Sequence, residues 1–249
     1  MLTPEQQSLF QQQGYLVLKR FIPAERWTAA RETARHHLIE QVEPVELESE
    51  LQYPGAPHPE EDPARTIRRL KQAYDRDPAF AQCATYPELV EVLEQLLAEP
   101  IALVRAHHNC IMTKQPAFSS DSWWHQDIRY WRYQKGNLIS AWMALGKEHS
   151  RNGGLMIVPG SHRLKFTPEQ FDSESFFRRD LPDNQRLLDN QVNLTLAAGD
   201  LLLFHCRLLH AATRNYTEQS KLAMVFTYRA RSDRPLPGSR SAAIADVEL

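Results

Sequence analysis

The chain has 249 residues, 42% of them hydrophobic and 24% charged, with a formal net charge of −2. That supplies a sizeable apolar core and excludes the basic excess of a nucleic-acid-binding surface. No apolar run approaches the roughly 18 residues of a membrane span, the opening segment lacks a secretory pattern, and Cys83, Cys110 and Cys206 are too few and scattered for a disulfide framework, so a cytoplasmic protein is expected.

The first hundred residues read mainly as helix. Thr3-Pro4-Glu5 opens a short helix that Gly14 is placed to end, and Tyr15-Leu16-Val17-Leu18 reads as a strand. Pro23 begins a second helix, with Trp27, Ala30, Ala34 and Leu38 at three- and four-residue intervals. Residues 43–65 carry five prolines and read as an irregular segment, either a lid or a surface loop. Helix returns after Pro87, with Leu89, Val92, Leu93 and Leu96 as its apolar stripe.

Beyond Pro100 the pattern changes to β. Strands are predicted over 101–105, 109–113, 122–128, 138–145, 155–158, 192–196, 200–204, 208–212 and 221–229, separated by Gly, Pro and Asn turns. The polar and aromatic stretch 169–186 reads as an insertion near the barrel mouth. The fold expected is mainly β with flanking helices. Its core, 101–230, is a double-stranded β-helix (a cupin-like jelly roll) packed by the N-terminal helices, and 1–249 is one domain.

The most informative segment is Trp123-Trp124-His125-Gln126-Asp127. On a strand, side chains two apart share a face, so His125 and Asp127 can bind one metal with a distant histidine. His210 in Leu209-His210-Ala211 is that candidate, and His205 competes with it. Two imidazoles and a carboxylate form the facial set of non-haem Fe(II) oxygenases. His162 fits a turn, and packing is the default for His107 and His108, although one could face the cavity.

Several ordered segments make the chain resemble the phytanoyl-CoA dioxygenase family of Fe(II)- and 2-oxoglutarate-dependent oxygenases. They are Met112-Thr113-Lys114-Gln115-Pro116, Trp124-His125-Gln126-Asp127, Ala141-Trp142-Met143-Ala144-Leu145, Asn152-Gly153-Gly154-Leu155, Val158-Pro159-Gly160-Ser161-His162, Gly199-Asp200 and Leu209-His210. The resemblance implies Fe(II) on His125, Asp127 and His210, with 2-oxoglutarate and O2 converted to succinate and CO2 as an unactivated C–H bond is hydroxylated. Retention of Asp127 implies hydroxylation rather than halogenation. Lys114 matches a position that contacts the co-substrate, and Trp142 matches an aromatic position lining the co-substrate pocket, with core packing as its alternative. The family arginine that anchors its distal carboxylate is here Lys221, eleven residues after His210, and the family serine is Ala212. Lysine offers a point charge without the bidentate fork of arginine. Lys221 is the first choice for this anchor, and Arg214 and Arg229 are the fallback cations.

Gln126, Arg129, Tyr130 and Trp131 flank the metal segment and are the substrate candidates. Arg129 shares the face of the ligands only if strand alternation continues that far. A small metabolite or natural-product intermediate is the expected substrate, since no CoA-binding segment is visible. The runner-up is a catalytically inactive binding protein on the same scaffold. A zinc hydrolase lacks an HExxH segment, and a β-sandwich interaction module would leave the histidines incidental. Oligomeric state is left unassigned.

Overall fold

A computed structural model of the chain describes residues 1–51, 53–58, 60 and 66–249. Its helices form where the sequence supplies their ends. In α1 (Pro4–Gln13) the Thr3 hydroxyl accepts from the Gln6 backbone N–H at 3.2 Å, and the Gln6 side chain accepts from the Thr3 N–H at 2.9 Å. Gly14, at φ 77°, closes the helix by donating its N–H to the Phe10 carbonyl. Next come β1 (Tyr15–Leu18), α2 (Ala24–Ile39), β2 (Val45–Leu47), α3 (Glu48–Leu51), β3 (Ile67–Lys71), α4 (Ala73–Arg76), α5 (Pro78–Ala84) and α6 (Pro87–Leu97).

The remaining strands are β4 (Ile101–Lys114), β5 (Ser122–His125), β6 (Leu138–Ala144), β7 (Leu155–Ile157), β8 (Val192–Asn193), β9 (Leu201–His205), β10 (His210–Ala212), β11 (Lys221–Ala230) and β12 (Val247–Glu248), with α7 (Pro182–Leu188) before β8. Strands β4, β11, β6 and β9 lie side by side in one antiparallel sheet, and β5, β10, β7 and β8 form the other. From β4 to β11 the chain alternates between the sheets, except that β7 and β8 pair as consecutive strands of the smaller one, giving the double-stranded β-helix. The larger sheet is extended by β1 at one edge and by β3 and β2 at the other, and β12 also pairs with β4.

Alternation along the strands divides the core into two layers. Leu222, Met224, Phe226 and Tyr228 of β11 join Ile139, Ala141 and Met143 of β6 against Phe10, Ala30, Phe80 and Leu93 of the helices. Their neighbours Ala223, Val225 and Trp142 face inward, where they meet Leu155 and Ile157 of the smaller sheet. All ten residues of β11 are buried, as expected of a strand covered on both faces.

Four expectations are corrected here. Stretches 101–105 and 109–113 belong to one strand, β4. Val104 pairs with Thr227 and Asn109 with Phe226, so residues 105–108 bulge out of the ladder with β11. The expected strand 122–128 ends at His125, and Asp127–Tyr130 is a 3₁₀ turn whose Ile128 N–H donates to the Cys206 carbonyl. Of 192–196 only Val192–Asn193 is strand. The proline-rich segment 43–65 contains β2, which pairs with β3 beyond it. The lid reading of this segment falls partly on Gln52, Pro59 and 61–65, outside the described residues.

Candidate active site

The β5 and β10 strands place His125 directly opposite His210 in register, and their ring centroids are 4.2 Å apart. Asp127 follows on the turn. His125 Nε2 lies 3.8 Å and His210 Nε2 3.7 Å from Asp127 Oδ1. One ligand atom from each of the three lies within 4.8 Å of the others. Each histidine is oriented by the backbone: Nδ1 of His125 is 2.7 Å from the Trp123 carbonyl, and Nδ1 of His210 is 3.0 Å from that of Leu208. With Nδ1–H donated there, each Nε2 lone pair points to the shared space.

Burial, reinforced by His210, holds His125 well below the usual histidine range, so its lone pair is available. Asp127 is 3% exposed, and burial pushes its carboxyl up to about 6 despite the opposing pull of His210 and Arg69. Its Oδ2 is buried without a hydrogen-bond partner. An isolated buried carboxylate oxygen is costly, and a divalent cation would compensate it. Two imidazole nitrogens, one carboxylate and space on the cavity side fit Fe(II).

His125 and His210 of the triad border a small cavity of ≈ 50 Å³. His125 and His210 mark one end, and Trp142, Lys114 and Lys221 the other, with Arg68, Arg69 and Tyr53 along the wall. A wider surface cleft beyond Lys221, lined by Arg31, Arg35, Lys147 and Arg151, contains none of the triad. Lys114 and Lys221 are each 3% exposed and stand opposite one another on β4 and β11. Lys114 Nζ donates to the Ser120 carbonyl. Gly153 keeps this end open: at φ +82°, a Cβ there would come 2.9 Å from the Lys114 side chain and 2.8 Å from the Thr213 carbonyl.

The structure separates the substrate candidates. Because β5 ends at His125, alternation does not carry Arg129 to the ligand face, and its guanidinium lies 3.5 Å over the Phe171 ring. Gln126 donates to the Arg207 carbonyl, and Trp131 stacks on His107 at 4.9 Å. Tyr130 stays beside the triad, with ring centroids 6.2 Å from His125. The competitor His205 instead bonds Asn137 at 3.2 Å and faces His162. The fallback cations are engaged elsewhere, Arg214 with Asp121 at 2.8 Å and Arg229 with Asp246 at 2.6 Å.

The sequence left open that His107 or His108 could face the cavity, and it is His108 that does, with Nδ1 3.6 Å from Asp127 Oδ2. Several other contributors were missed in the sequence. Arg68 and Arg69 sit between Ile67 and Leu70 on β3, where Arg68 is buried and Arg69 half-buried. Phe176, from the 169–186 insertion, meets Tyr53, Trp123 and His125 edge-on at 5.4, 5.8 and 6.2 Å. Glu148 carried no local signal. It is 1% exposed and holds both Trp142 and Lys221.

Comparison with known proteins supports the same assignment. A family model described as phytanoyl-CoA dioxygenase matches residues 10–223. A probable phytanoyl-CoA dioxygenase of Caenorhabditis elegans is 24% identical over 92% of this chain and 75% of its own length. An ectoine dioxygenase of Halomonas elongata is 31% identical over 68% of this chain and 54% of that protein. The crystal structure of EctD from S. alaskensis with 2-oxoglutarate and 5-hydroxyectoine superposes with a TM-score of 0.78 at 22% identity, covering 94% of this chain and 78% of that one.

Proposed function

This chain belongs to the phytanoyl-CoA dioxygenase family, and from that premise we propose that it hydroxylates an unactivated C–H bond of a small metabolite or natural-product intermediate, releasing succinate and CO2. It is a 2-oxoglutarate-dependent non-haem iron dioxygenase. The observation that carries the reading is the meeting of His125, Asp127 and His210, whose ligand atoms lie within 4.8 Å of one another.

In this reading His125, Asp127 and His210 would hold Fe(II). The bound iron supplies the activation of O2 at the expense of 2-oxoglutarate, and the protein supplies orientation and exclusion of water. Trp123 and Leu208 carbonyls fix the two rings, while the far end of the cavity, lined by Trp142 and Lys114, receives the co-substrate. Substrate approaches past Tyr53, Trp123, Tyr130 and Phe176. Trp123 and Tyr130 keep 41% and 40% exposure, so this rim suits a molecule with an apolar or flat face. The chain 1–249 acts as one dioxygenase domain in which 1–100 buttress the core 101–230. No helix among the described residues is long and apolar enough to cross a membrane, and the three free cysteines agree with a cytoplasmic setting.

The direct test is anaerobic addition of Fe(II) and 2-oxoglutarate, followed by a screen for compounds that trigger succinate release. A visible metal-to-ligand charge-transfer band and substrate-dependent succinate are expected. Iron binding without the band would favour a non-catalytic binding scaffold, a reading supported by the engagement of Lys221 with Glu148.

A further inference from the structure

The far end of the cavity holds two buried lysines, Lys114 at a position where the resemblance implies contact with the co-substrate and Lys221 where it implies an arginine. Among the described residues, only one of the two has a carboxylate partner. Lys221 Nζ lies 3.3 Å from Glu148 Oε2 and 4.7 Å over the Trp142 ring. Both Glu148 oxygens accept from the indole Nε1–H, at 3.0 and 3.2 Å. Glu148 is itself pinned, because its backbone N–H and carbonyl exchange hydrogen bonds with Leu196 at 2.9 and 3.0 Å. Lys221, Glu148 and Trp142 therefore form a closed group in which the ammonium charge is already cancelled.

Lys114 differs. Its Nζ donates to the neutral Ser120 carbonyl, and no carboxylate of the described residues lies within ion-pair distance. The neighbouring Arg68 is paired with Glu48 at 3.3 Å, and Arg69 with Glu46 at 3.3 Å. Burial, aided by Arg68 and Lys221, pushes Lys114 well below the usual lysine range. A carboxylate arriving beside it would offset that penalty. Two lysines and one glutamate leave a single net positive charge, and one distal carboxylate would bring the group to neutrality.

We propose that Glu148 silences Lys221 and thereby moves the anchor for the distal carboxylate of 2-oxoglutarate across the strand pair to Lys114. Glu148 is a positioning residue in this scheme, since it borders the cavity only through Trp142 and Lys221. The inference rests on the 2-oxoglutarate reading above and adds which cation binds. It predicts that the Lys221–Glu148 pair can be removed as a neutral unit, whereas Lys114 cannot be replaced.

The test is calorimetric titration of 2-oxoglutarate into the iron-loaded protein without O2, with thermal melting as the check on folding. Lys114→Met is expected to weaken binding about 30-fold, the loss of one charge-assisted contact. The paired variant Lys221→Met with Glu148→Gln is expected to stay within about threefold of the unaltered protein. Glu148→Gln alone keeps an acceptor for the indole, frees the Lys221 charge and should tighten binding roughly fivefold. A folded paired variant that loses 2-oxoglutarate as severely as Lys114→Met would overturn the proposal, as would unchanged binding in Lys114→Met. Should the paired variant not fold, Glu148→Gln decides: tighter binding supports the assignment, and unchanged or weaker binding refutes it. Failure of the unaltered protein to bind 2-oxoglutarate would instead defeat the co-substrate reading itself.

Discussion

At the triad end of the cavity the buried Asp127 faces the imidazoles of His108, His125 and His210, whereas along the wall and at the far end Arg68, Arg69 and Lys221 each meet a glutamate. Both regions place charge in a protein interior, where an uncompensated ion is costly. The difference shows what each end is built to receive. An ion that the chain has already matched is a fixed part of the structure. One that it leaves unmatched, as proposed for Asp127 and Lys114, would be completed by a ligand of opposite charge.

This contrast can be broken most severely at Asp127. Asp127→Asn should cut iron-dependent succinate formation by a factor on the order of 10³ or more, with iron content falling in parallel by metal analysis. The same substitution should raise the unfolding midpoint of the metal-free protein, because it removes a buried charge without orphaning a partner. A lower midpoint would mean that the carboxylate is compensated in a way the structure does not show.

Arg68 supplies the opposite case and the next largest effect. It is 2% exposed, donates to Ser120 Oγ at 2.7 Å and Ser122 Oγ at 3.0 Å, and pairs with Glu48. Arg68→Met should cost about 3–5 kcal/mol in denaturant unfolding, since it strands Glu48 in the interior. A loss below about 1 kcal/mol would place Arg68 among the ligand-binding cations instead.

Half-buried neutral histidines sharpen the comparison at smaller amplitude. Burial holds His205 down to about 3 and His107 down to about 4. Unfolded histidine takes up its proton near 6.5, so between there and the folded values the unfolded chain binds more protons. Stability is then complete above about pH 6.5 and falls as the solution is acidified, by up to about 1.4 kcal/mol per pH unit for each such histidine. His205→Gln should flatten the acid side of the curve measured by urea unfolding.

The thiols give the smallest effect. Burial raises Cys83 and Cys110 to about 11 and Cys206 to about 12. Iodoacetamide at pH 8 should leave all three unmodified in the native protein and alkylate all three after denaturation. Rapid modification of any one would show that its part of the core opens.

The triad was legible because its chemistry is concentrated in short segments, His125-Gln126-Asp127 and Leu209-His210, and because the surrounding motifs keep their order. The physical argument for it was only partly right. Strand alternation was invoked for His125 and Asp127, but the chain turns at Gln126, and the same turn directs Arg129 onto Phe171. The helical shell was legible from its caps and apolar stripes. β2 and β3 were hidden, since Pro44 masks one and a charged pair, Arg68-Arg69, interrupts the other. Compensation was the least visible feature. Lys221 and Glu148 are 73 residues apart, and nothing local marks one as the partner of the other.

The bulge in β4 has a consequence for how this wall can change. It holds four residues, an even number, so side chains before and after it keep the same sidedness. Leu103 and Ile111 both pack toward the helices, while Cys110 packs between the sheets and Lys114 lines the cavity. Loss of one residue, with the rest of the strand held straight, would exchange those sides and drive the Lys114 ammonium into hydrocarbon. Loss of two could preserve the parity on both flanks. Length variation in this part of the barrel is therefore admissible in pairs.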